Sequence, residues 1–315
     1  MKGLEIARDY FAEFGKPMLE EKFPELMPYL AAGFTGSGSE CFGYDDEISR
    51  DHDFEPGFCL FLPDETIVNR RSAFLLERAY AALPGEYEGL KRSLMGPVGG
   101  ARRGVLRTDE YYRDRIGVEK PGEDLTVTQW LSVPEYALAE AVNGELFFDN
   151  YGEVTRIREK LAYYPEDVRL KKLAGNLLMM AQSGQYNYMR CIRHREGAAA
   201  QLAVGEFARS AISTVFLLNH TYQPYYKWSF RALRSLPVLS LTAELLEYLL
   251  TTDNDKSMYE EKYAVIESIA ADVIDELTDQ GLTKANCGDL EKHAYSVNDM
   301  IANGQLRNMH ILAAV

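Results

Sequence analysis

Residues 36–54 read GSGSECFGYDDEISRDHDF, and the fold turns on how this stretch is understood. Upstream of it, residues 28–34 are short and apolar, which predicts a strand running into the small-residue turn Gly36-Ser37-Gly38-Ser39. Downstream, Phe58 to Leu62 are continuously apolar, as a buried central strand would be. Eleven residues separate Ser39 from Asp51. If 51–53 is extended, Asp51 and Asp53 point to one face and His52 to the other. Two carboxylates about 7 Å apart in a half-buried site are costly unless compensated. A bound Mg²⁺ or Mn²⁺ compensates them, since hard cations take carboxylate oxygens and leave positions for phosphate oxygens. The glycines let backbone N–H groups come close to such a phosphate, and the serines add a hydroxyl. The competing reading is a solvated acidic turn, with Asp45, Asp46 and Glu47 nearby. By the same alternation His52 reads as a packed or hydrogen-bonded side chain on the opposite face rather than a ligand. Arg50 either pairs with a neighbouring acid or meets a phosphate.

Around this stretch the periodicity predicts helices over 3–14 and 18–26, interrupted by Gly15, Lys16 and Pro17, and a further helix from residue 66 to 82. Residues 84–104 hold six glycines and two prolines and read as a loop. A short strand at 105–107, helices at 109–116 and 127–142, and a strand at 145–149 follow. Asn143-Gly144 closes the second of those helices, and Asp149 caps the turn at Tyr151-Gly152. Beyond residue 153 the strand pattern stops, and helices are expected at 153–163, 166–183, 197–220, 226–235, 238–251, 256–280 and 288–303. The fold class expected is α+β: a mixed sheet with helices over 1–153, then an all-α helical bundle over 154–315.

The chain has 315 residues, 46% hydrophobic and 26% charged, as a globular protein has. With 34 Lys plus Arg against 48 Asp plus Glu, the net charge is −14. Such a field repels phosphate backbones and anionic lipid, so neither nucleic acid nor a membrane is an expected partner. Cys41, Cys59, Cys191 and Cys287 are far apart in sequence and read as free thiols of a reducing compartment. The first fifteen residues contain acids and no apolar core of a signal peptide, and no apolar run reaches the roughly 20 residues of a membrane span. A cytoplasmic location is expected.

A Gly-Ser turn after a first strand, followed some ten residues later by D-x-D, resembles the nucleotidyltransferase superfamily, which includes DNA polymerase β and antibiotic-modifying nucleotidyltransferases. The longer run GSGSECFGYDDEISRDHDF, with YPEDVRLKK at 164–172 and QPYYKW at 223–228, is similar more narrowly to a bacterial family of unassigned function within that superfamily. The resemblance implies a catalytic α+β half and a helical half closing over a nucleotide. Gly38 and Ser39 would hold the triphosphate, and Asp51 and Asp53 would ligate the metal ions, Mg²⁺ or Mn²⁺. Members usually carry a third carboxylate on a following strand. Here the matching stretch, Gly104 to Thr108, has no acid, and Asp109 and Glu110 lie just beyond it.

Tyr222-Gln-Pro-Tyr225-Tyr226-Lys227-Trp228 has two readings of equal weight. Its rings pack at the approach to a helix, or Lys227 meets the triphosphate and a ring such as Tyr226 meets the base. Lys171 and Lys172 read as a wet helix face, and Tyr186 and Tyr188 as ordinary helix packing. The expected activity is transfer of a nucleoside monophosphate from an NTP, ATP foremost, to a hydroxyl of a small molecule or a protein. The negative charge favours a cationic small-molecule acceptor. The alternative is a nucleotide-binding regulatory protein with weak or lost turnover, to which the missing third acid points. Shared active sites occur in similar transferases, so a homodimer is among the arrangements expected.

Overall fold

The computed structural model describes every residue except 49–53, 93–102 and 256–257. In chain order it begins with α1 (Gly3–Tyr10), a π-helical turn (Phe11–Gly15), α2 (Lys16–Lys22), β1 (Ala31–Phe34), β2 (Cys59–Leu62) and α3 (Arg70–Ala81). The short pair β3 (Glu86–Tyr87) and β4 (Leu90–Lys91) comes next, then β5 (Gly104–Arg107), α4 (Thr108–Ile116), α5 (Val127–Ser132), α6 (Glu135–Val142), β6 (Glu145–Asp149) and α7 (Glu153–Lys160). From there every described element is helical: α8 (Glu166–Met180), a π-helical run (Ala181–Tyr188), α9 (Met189–Arg193) and α10 (Gly197–Leu218). The chain continues through α11 (Tyr226–Leu233), α12 (Thr242–Thr251), α13 (Tyr259–Asp279), α14 (Leu290–Asp299) and α15 (Gly304–Asn308).

The fold class is α+β. Contacts divide the chain into two compact units, one of Met1–Leu125 with Tyr136–Ala162, the other of Thr126–Glu135 with Tyr163–Val315. The chain therefore passes between units at residues 125/126, 135/136 and 162/163. No described helix is long and apolar enough to cross a membrane.

In the first unit a mixed four-stranded sheet has the order β5-β2-β1-β6. β1 is antiparallel to β2 and β6, and β5 runs parallel to β2. Gly33 pairs with Cys59, Cys59 with Gly104, and Phe34 with Glu145. One end of the sheet thus collects the exit of β1 and the starts of the other three strands, and the Gly-Ser turn leaves from that end. All four β2 residues are buried, which is why their sequence does not alternate. Phe58, Leu60 and Leu62 pack with Tyr10, Phe11, Leu19, Leu76 and Tyr80 in one core, while Phe61 meets the Tyr111 ring of α4 at 5.0 Å. The Tyr80 hydroxyl satisfies both backbone groups of Phe58, accepting from its N–H (2.9 Å) and donating to its carbonyl (2.8 Å).

Three expectations change. The single helix over 127–142 is two helices, because Pro134 cannot donate to the turn before it and Val133 is extended. The loop at 84–104 contains the β3–β4 pair and the first residue of β5, with 93–102 outside the described residues. Lys171 is fully buried rather than wet. Its ammonium donates to Asn298 Oδ1 (2.9 Å) and the Met309 carbonyl (2.7 Å), partners more than a hundred residues away that helix periodicity cannot reveal.

Candidate functional site

Gly36 and Gly38 sit at φ 115° and 122°, backbone that favours glycine, so the chain can reverse tightly after β1. One side chain holds the reversal. Asn143, just after α6, accepts from the Gly36 N–H (2.8 Å) and donates to the Gly36 carbonyl (2.8 Å), and its Oδ1 also receives the Thr35 hydroxyl (3.1 Å). The Asn143-Gly144 pair expected to end a helix does so and also clamps the turn.

Beneath Gly38 lies Glu40, 5% exposed, whose carboxylate is 2.6 Å from where a Gly38 side-chain carbon would stand. Arg103, immediately before β5, pairs with Glu40 at 3.2 Å and with Glu55 at 3.5 Å. Its guanidinium also lies over the Phe34 ring at 4.9 Å. A buried carboxylate needs such a cation, and sequence reading missed the arrangement because Glu40 and Arg103 are 63 residues apart.

α4 approaches the turn from another side. Having left the far end of β5, it doubles back and brings Tyr111 and Arg115, one helical turn apart, against Gly36. A side-chain carbon at Gly36 would meet Arg115 Nη2 at 2.7 Å and the Tyr111 hydroxyl at 2.8 Å. Arg115 pairs with Glu140 (2.9 Å) and lies over the Tyr111 ring (4.6 Å). Beside them is a cavity of about 500 Å³ whose wall includes Ser37, Arg107, Glu110, Tyr111, Asp114 and Arg115. Ser37 is the serine of the turn that faces this cavity, while Ser39 is buried and begins the short helical turn Glu40–Phe42.

The candidate residues therefore fall into three groups. Gly38 and Ser39 share the turn. Arg50, Asp51 and Asp53 lie outside the described residues, as does His52. Tyr226 and Lys227 open α11 in the other unit, where Tyr226 is 73% exposed and Lys227 lies 5.0 Å from the Trp228 ring. β5 carries no acid and ends at Arg107; Asp109 and Glu110 are exposed in the first turn of α4. Among the described residues no group of three His, Cys, Asp or Glu side chains is placed to hold a metal ion. Glu40, the carboxylate against Gly38, is held by Arg103, which also pairs with Glu55.

The helical unit has a polar cluster of its own that sequence reading did not find. Glu135 accepts the Gln223 N–H (3.0 Å), and burial pushes its carboxyl up to about 7 despite that bond and the nearby Lys172. The rings of Tyr163, Tyr164 and Tyr222 pack together, with centroids 4.9–5.4 Å apart. Lys172 lies over the Tyr164 ring at 5.3 Å, and burial lowers its pKa. The Tyr163 and Tyr164 hydroxyls are buried with no hydrogen-bond partner among the described residues. The two motifs at 164–172 and 223–228 meet here, through Tyr164, Lys172 and Gln223.

A family profile described as a domain of unknown function (DUF4037) matches residues 130–229. The match includes Glu135, the three tyrosines, Lys172, Tyr226 and Lys227, together with Asn143, and stops short of the turn at 36–39. Comparison with curated proteins and with solved structures gave no match.

Proposed function

We propose that the chain is a metal-dependent nucleotidyltransferase that moves a nucleoside monophosphate from an NTP, ATP foremost, to a hydroxyl of a small molecule or protein. The observation that carries this reading is the turn itself. Two glycines with positive φ leave the end of the first strand, at the sheet end where β2 begins, and the D-x-D pair precedes β2 by six residues. Backbone N–H groups of such a turn suit phosphate oxygens. The finer fold assignment belongs with this reading: a nucleotidyltransferase-like sheet unit followed by a helical bundle.

In this account Gly38 and Ser39 hold the triphosphate, Arg50 neutralises it, and Lys227 and Tyr226 serve the phosphate and the base. Asp51 and Asp53 would hold Mg²⁺ or Mn²⁺, which would supply Lewis-acid activation of the acceptor hydroxyl and stabilise departing pyrophosphate. The net charge of −14 favours a cationic acceptor. Location in the cytoplasm and a homodimer remain parts of the same proposal.

A second reading, a nucleotide-binding regulator with little turnover, is favoured by β5, which bears no acid. Pyrophosphate release separates the two. Protein with MgATP and a panel of hydroxyl acceptors should release pyrophosphate above the rate of Asp51→Asn/Asp53→Asn. Nucleotide binding with release no faster than in that variant supports the regulator.

A further inference from the structure

The Gly36–Ser37 turn is faced by two polar groups that the protein leaves unused. Tyr111 is 7% exposed, and its hydroxyl has no hydrogen-bond partner among the described residues. Arg115 Nε is likewise buried with no partner among the described residues, although Nη1 of the same guanidinium pairs with Glu140. An unpaired guanidinium N–H can only donate, and a phenol in an apolar setting is costly while its proton has no acceptor. Both residues line the cavity of about 500 Å³ into which Ser37 also faces, a size that suits a small ligand. What is missing beside two donors is an oxygen acceptor.

The rest of the wall narrows the class. On α4, Glu110 and Asp114 form a row next to Tyr111 and Arg115, Glu77 adds a third carboxylate, and the fourth, Glu140, is the one paired with Arg115. A bare polyanion would meet these acids, whereas one complexed to a divalent cation would not be repelled to the same degree.

We infer that Tyr111 and Arg115 form a seat beside the Gly36–Ser37 turn for a phosphate oxygen of a magnesium-complexed di- or triphosphate. Assigning that phosphate to a nucleotide rests on the proposed function; the seat itself is tested without a nucleotide. Glu140 fixes the guanidinium through Nη1, leaving Nε for the ligand.

The test is calorimetric titration of inorganic pyrophosphate, with and without Mg²⁺, into the full chain and into Tyr111→Phe. The Tyr111 hydroxyl has no partner to lose, so the variant should fold and melt as the parent does. Its affinity for magnesium pyrophosphate should fall roughly 10- to 150-fold, the weight of one hydrogen bond to a charged group. Unchanged affinity in Tyr111→Phe overturns the seat, and so does a parent that binds no pyrophosphate. The same two proteins titrated with MgATP, beside Asp51→Asn/Asp53→Asn, keep the claims apart. ATP binding that needs Asp51 and Asp53 but ignores Tyr111 sinks the seat and leaves the nucleotide reading standing. Pyrophosphate binding that needs Tyr111, with no binding of any NTP, does the reverse.

Discussion

At the exit of β1, Gly36 gives both backbone groups to Asn143, and the buried Glu40 is matched by Arg103. Around Glu135, in the helical unit, polar groups are gathered but not closed off. The Glu135 carboxylate receives the Gln223 N–H, Lys172 rests on a ring, and the hydroxyls of Tyr163 and Tyr164 have no partner among the described residues. The first arrangement fixes a backbone shape, with each charge compensated where it is buried. The second stores an unfavourable carboxylate whose proton affinity is raised by desolvation. A turn of the first kind is suited to hold a ligand by shape, and a cluster of the second kind responds to protons.

The sharpest way to break the comparison is to remove the cation on the closed side. Arg103→Ala strands Glu40, whose side chain is 6% exposed. Stability measured by urea unfolding should fall by about 3–5 kcal/mol. A loss below about 1 kcal/mol would mean that Glu40 is not a compensated buried charge.

On the other side the sign reverses. Glu135 titrates at about 7 when folded against about 4.5 as its ordinary value, so the folded chain holds this proton more tightly. Stability from this group is therefore greatest below about pH 4.5, falls as pH rises to about 7, and is level above that. Glu135→Gln keeps an acceptor for the Gln223 N–H and should remove the slope, gaining up to about 3 kcal/mol at pH 8. Unfolding free energies at pH 5 and pH 8 check it; an equal slope in parent and variant would show that water or Lys172 already compensates the carboxylate.

Asn143→Ala gives a smaller effect. It removes three hydrogen bonds to Thr35 and Gly36, expected to cost about 2–3 kcal/mol by thermal unfolding. If the turn is the ligand's cradle, affinity for MgATP should fall further than stability alone explains.

The parts of this contrast that sequence made visible are the local ones. The paired glycines, the apolar run of β2 and the helix periods each depend on neighbours a few residues away. Asp149 likewise caps its turn as read, accepting from Gly152 (2.8 Å) and Thr155 (2.7 Å). What closes the turn could not be read, because Asn143, Arg103, Tyr111 and Arg115 arrive from 60 to 110 residues downstream along strands whose order a sequence does not state. The same holds for Lys171, placed on a wet face by periodicity yet covered by partners from α14 and the segment after α15. Asp51 and Asp53 stay as motif residues, since they lie outside the described structure.

The most direct test of the nucleotide reading is a melting-temperature series with each NTP, with and without Mg²⁺, on the parent and on Asp51→Asn/Asp53→Asn. At a ligand concentration 100 times its dissociation constant, binding adds about 2.7 kcal/mol and a clear rise in melting temperature. The account predicts a magnesium-dependent rise, largest with ATP, that the double variant loses. No rise with any nucleotide would contradict it and leave 36–54 as a solvated acidic turn.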